Sequence, residues 1–95
     1  MITVVVQLTC VHDRINELAP ALMDLIENTR QEHGCRDYKL YQNGEQKNNF
    51  VIIEEWSDRR ALDEHMQTDH FFRAARIFQE LLFVPPDIRM YDLVY

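Results

Sequence analysis

Glycine is nearly absent from this chain, with only Gly34 and Gly44 among 95 residues. Phosphate-cradling loops such as G-x-G-x-x-G or G-x-x-x-x-G-K-[ST] need closely spaced glycines, so the dinucleotide fingerprint and the P-loop are both excluded. Basic residues are also few, ten Lys plus Arg against sixteen Asp plus Glu, for a net charge of −6. They are spread thinly along the chain, which argues against nucleic acid as a partner. Cysteine occurs twice, at Cys10 and Cys35, with no C-x-x-C pair. Two free thiols in a reducing cytoplasm are expected, because small secreted domains are denser in cysteine. The apolar run from Ile2 to Leu8 is too short for a membrane span and has no basic segment before it, so neither a span nor a signal peptide is expected. Ser57 is the only serine, and no nucleophile motif surrounds it or either cysteine. His65 and His70 are five apart, not the four of H-E-x-x-H, and no metal is expected.

What remains is a chain that is 46% hydrophobic and 11% aromatic, too apolar for disorder. Its length predicts one domain over 1–95. A chain this short buries only about 60–65% of its unfolded surface, so a second subunit would help to complete its core.

Residues 2–10 alternate as a strand, with Ile2, Val4, Val6 and Leu8 on one face and Thr3, Val5, Gln7 and Thr9 on the other. Residues 14–33 carry Ile15, Leu18, Leu22, Leu25, Ile26 and Thr29 at helical spacing. Asp13 is the expected N-cap of that helix, Pro20 a kink in it, and Gly34 its terminator at positive φ. Residues 36–43 and 50–56 read as a hairpin around Asn43-Gly44. Ser57-Asp58 and Thr68-Asp69 look like caps of a short helix and of a longer one ending near Leu82, where Pro85-Pro86 forbids continuation. Residues 87–95 alternate as a last strand. The order β-α-β-β-α-β is the α+β, ferredoxin-like pattern, an antiparallel four-stranded sheet with helices on one face. Its other face is too apolar for water, which predicts a homodimer packed sheet to sheet.

Glu54, Trp56, His65, Asp69 and His70 form the densest polar group, with Phe71 next to it. His65 suits the role of a base or hydrogen-bond donor in a cleft between helices and sheet. The aromatic residues, mostly core and interface, could also wall an apolar small-molecule pocket with Gln7, Tyr38, His65 and Arg89 as its polar points.

The run Glu54-x-Trp56-x-Asp58-x-x-Ala61-Leu62-x-x-His65-x-x-Thr68-x-His70-Phe71 resembles the signature of the antibiotic biosynthesis monooxygenase (ABM) superfamily at every named position. The Gly34-Cys35 to Tyr41 segment and the terminal strand after Pro86 are similar as well. The resemblance implies a dimeric α/β-barrel assembly of ferredoxin-like subunits, each with a pocket between sheet and helices. It further implies cofactor-independent oxidation of a quinol, polyphenol or anthrone-type aromatic by dioxygen. On that basis His65, Tyr38 and Gln7 are the expected catalytic residues, with Trp56, Phe71 and Phe78 as walls; His70 from the polar group and Arg89 from the polar points complete the expected substrate-binding set. Related branches degrade haem or isomerise a phosphorylated autoinducer, and the same fold without catalysis would serve as a small-molecule-binding stress protein. The haem branch fits poorly, because its axial histidine falls at Ala75.

Overall fold

A computed structural model describes residues 1–95. Strand β1 (Ile2–Thr9) leads through a 3-10 turn (His12–Arg14) to helices α1 (Ile15–Ala21) and α2 (Met23–Thr29). Strands β2 (Cys35–Gln42) and β3 (Asn49–Trp56) follow, then α3 (Arg59–His65), α4 (Asp69–Leu81) and β4 (Asp87–Asp92). The sheet order is β2-β3-β1-β4 and every neighbouring pair is antiparallel, which is the ferredoxin-like α+β arrangement.

Alternation along the strands decides what is buried. Val4, Val6 and Leu8 of β1 and Phe50, Ile52, Glu54 and Trp56 of β3 turn toward the helices and are buried. They meet Leu18, Leu22, Leu25 and Ile26 from α1, α2 and the joint between them, and Leu62, Ala74 and Leu81 from α3 and α4. Fully burying a side chain of this kind stabilises the fold by about 1.5–3 kcal/mol. No helix is long and apolar enough to cross a membrane.

Four local expectations change. The helix over 14–33 is two helices. Pro20 lies inside α1 without an N–H to donate, and the chain turns at Leu22 (φ −92, ψ 0) before α2 begins. Asp13 does not cap; no side chain caps the start of α1. No glycine has positive φ. Gly34 is instead demanded by a close approach, because a Cβ there would collide with Cβ of Ala61 and lie 2.9 Å from Ser57 Oγ. Strand β4 ends at Asp92, opposite Ile2 at the start of β1, so Leu93, Val94 and Tyr95 lie outside the sheet.

A cavity between sheet and helices with a bridged pair of histidines

Two short capping interactions set the site. Asp58 Oδ1 accepts the Ala61 N–H at 2.9 Å and starts α3, in which Leu62 and His65, three residues apart, turn inward together. The Thr68 hydroxyl accepts the Phe71 N–H at 3.3 Å, starting α4, and donates to the His65 carbonyl at 2.7 Å. One threonine therefore fixes the joint on either side of which His65 and His70 stand.

The third member comes from the far end of α2. After Thr29 the chain tightens into i→i+3 bonds, with Gln31 N–H on Asn28 O and Glu32 N–H on Thr29 O. This turn is tied to the start of α3 by Ser57 N–H on Gly34 O at 2.9 Å and by the Gly34–Ala61 approach. It carries Glu32 under both histidines. Glu32 Oε2 lies 2.6 Å from His65 Nδ1 and 2.7 Å from His70 Nε2. A carboxylate oxygen accepts only, so each ring nitrogen facing it donates its N–H. This fixes the His65 tautomer: Nδ1 carries the proton and Nε2 keeps the lone pair.

The His65 side chain is almost fully buried, with Trp56 at 4.7 Å between ring centroids, Phe71 edge-on at 5.2 Å and Tyr38 at 6.0 Å. Burial pushes its pKa below the ordinary 6.5, against the opposing pull of Glu32, so the imidazole is neutral at neutral pH.

A cavity of about 550 Å³ lies between the inner sheet face and α3 and α4, within the range of small-molecule sites. Val4, Val6 and Ile52 form its floor and Phe71, Phe78 and Leu82 its walls. It opens beside Phe83, Val84 and Ile88, all three exposed. Its polar points are Tyr38, Glu54, His65 and Gln79. Tyr38 and Glu54 are directly opposite each other in the β2–β3 register. Glu54 Oε1 accepts the Trp56 indole N–H at 2.8 Å. Burial pushes the Glu54 carboxyl up to about 7, with the Trp56 bond pulling the other way. Burial also raises the Tyr38 hydroxyl well above its usual 10, so it stays a proton donor.

Of the eight residues singled out from sequence, His65, Tyr38, Phe71 and Phe78 line this cavity. Trp56 and His70 lie outside its lining, behind His65. Gln7 and Arg89 do not join it. Gln7 sits between the inward-facing Val6 and Leu8, so it is exposed on the opposite sheet face. Arg89 pairs across from Val5 on that same outer face and bonds to Asp87 at 3.1 Å. Asp69 is exposed on the first turn of α4. Glu32 was not singled out; it is 33 residues from His65 in a polar turn, and no spacing rule connects them.

A ferredoxin-like α+β domain with an apolar cavity under its helices is the class that this geometry defines. The profile of the family described as "Antibiotic biosynthesis monooxygenase" matches residues 1–77, and the chain belongs to that family. A Synechocystis protein, "Uncharacterized protein sll1783", is 33% identical over 85% of this chain and 55% of its own length. The chain thus spans about half of that relative. The Bacillus subtilis protein named "Putative monooxygenase YcnE" is 30% identical over 80% of each chain. A crystal structure described as an antibiotic biosynthesis monooxygenase superposes with a TM-score of 0.92 at 34% identity, covering 100% of both chains.

Proposed function

We propose that this chain is a cytoplasmic, cofactor-independent monooxygenase that oxidises a quinol, polyphenol or anthrone-type aromatic with dioxygen, and that it works as a homodimer. The observation that carries this reading is the buried His65, oriented through Nδ1 by Glu32 and set in the wall of an aromatic-lined cavity. His65 Nε2 takes the proton from a phenol, enol or benzylic carbon. The resulting anion is itself the electron source. For an anthrone-type CH2 group the balance is CH2 plus O2 giving C=O plus H2O, with one oxygen atom retained and the other leaving as water. The neutral Tyr38 hydroxyl donates to the developing oxyanion. The cavity lining contains no Lys or Arg to pair with a phosphate, which favours an aromatic substrate over a phosphorylated one.

The dimer is supported by the outer sheet face, where Val5, Val51 and Ile53 lie half-buried beside exposed Tyr41 and Tyr91. Oxygen uptake with a panel of anthrones and hydroquinones tests the chemistry. Uptake matched by quinone formation, and lost in His65→Ala, is expected. No uptake above the buffer rate with any substrate would overturn it.

A further inference from the structure

We propose that Glu32, His65 and His70 together bind one divalent transition-metal ion of the zinc type. Their ligand atoms, a carboxylate oxygen, Nδ1 and Nε2, all lie within 4.8 Å of one another. They come from three separate segments: the turn after α2, the end of α3 and the first turn of α4. Both imidazoles converge on the single atom Oε2, while Oε1 makes no hydrogen bond in the chain. Two nitrogens and one carboxylate oxygen suit zinc or iron, whereas calcium and magnesium want oxygen ligands throughout.

Metal–ligand bonds of 2.0–2.1 Å in a tetrahedral site put neighbouring donors about 3.3 Å apart. Admitting an ion therefore takes two movements: the two ring nitrogens, within 4.8 Å of each other, close to that spacing, and the Glu32 carboxylate withdraws by roughly 0.6 Å from each ring. The side chains with room for this are Glu32, beyond the end of α2 and 16% exposed, and His70, 13% exposed, while the buried His65 stays in place. That exposed edge is also the ion's way in and the place for a fourth, water ligand.

The site lies behind the cavity, not in it. His65 is in the cavity wall, but Glu32 and His70 are not. An ion on Nδ1 obliges the neutral imidazole to carry its proton on Nε2, so the cavity-facing nitrogen changes from acceptor to donor. If the monooxygenase reading is right, the ion is an off-switch for its base; binding itself does not rest on that reading.

The test is calorimetric titration of the chelator-treated full chain with ZnCl2, paired with the visible absorption of Co(II), in the absence of any substrate. One ion per chain, a Co(II) band of a four- or five-coordinate site and a raised Tm are expected. His70→Ala and Glu32→Gln should each weaken binding by about 100-fold or more, and His33→Ala should not change it. Circular dichroism confirms that the variants fold. Absence of binding at ~1 mM zinc would overturn the proposal. So would affinity that survives both ligand variants, or that is lost in His33→Ala or His12→Ala, since either marks an adventitious surface ion.

Discussion

Along β3, Phe50, Ile52, Glu54 and Trp56 turn toward the helices and are buried, whereas Val51, Ile53 and Glu55 turn away and keep part of their surface in solvent. The same eight residues thus serve two environments. On the inner face even a carboxyl is enclosed, and its proton affinity rises because a buried charge has lost its water. On the outer face the same residue type, Glu55, keeps part of its surface in water. Reactive character in this protein follows from which way a side chain points along a strand more than from its identity. The proposed chemistry belongs to the inner face and the proposed subunit contact to the outer one.

The largest expected effect comes from exchanging substitutions between the faces. His65→Ala should lower kcat/KM at least about 100-fold in the oxygen-uptake assay, as expected for loss of a general base. Gln7→Ala, on the outer face, should leave it within about twofold; a comparable loss in both would dissolve the distinction.

Glu54→Gln probes the inner face through stability. An ordinary glutamate titrates near 4.5, but in the folded chain Glu54 titrates at about 7. Between those values the folded state holds a proton that the unfolded state releases, so wild-type stability falls as pH rises through the interval. Relative to its value near pH 4, the advantage of Glu54→Gln should grow by about 3 kcal/mol by about pH 8, read from urea denaturation midpoints. A flat difference would mean that Glu54 is not enclosed.

Ile53→Lys places a charge on the outer face. Sedimentation should then show a monomer where wild type shows a dimer, with the cavity residues unchanged. The smallest effect is expected from Tyr38→Phe, which removes one hydroxyl without changing the volume. A drop in kcat of about 10-fold, with an unaltered Tm, would fit loss of one hydrogen bond to an oxyanion.

Strand parity was legible in the sequence, and it already placed Gln7 among the outward residues Thr3, Val5 and Thr9. The reading of an aromatic pocket makes Gln7 a polar point against that parity and the family resemblance then makes it catalytic, but the structure follows parity. Arg89, between Ile88 and Met90, is a polar point of the same expected pocket and likewise lies on the outer face. Residues 54–71 announced His65 because caps, helix spacing and histidine lie within one continuous stretch. Glu32 had no such signal, because its partners are set by how a turn docks against α3. Gly34 was marked as special by its rarity, but sequence suggested backbone conformation where the physical reason is lack of room beside Ala61.

That tight seam has a practical consequence for redesign. The backbone of the 30–34 turn is clamped to the start of α3, so the spacing of Glu32 and His65 is set without help from the cavity walls. Phe78, Leu82 and Phe83, which also line the cavity, lie two or more helical turns beyond His70 along α4 and the segment after it. For the proposed reaction, a library varied at Phe78, Leu82 and Phe83 would therefore probe substrate range while leaving the Glu32–His65 contact in place.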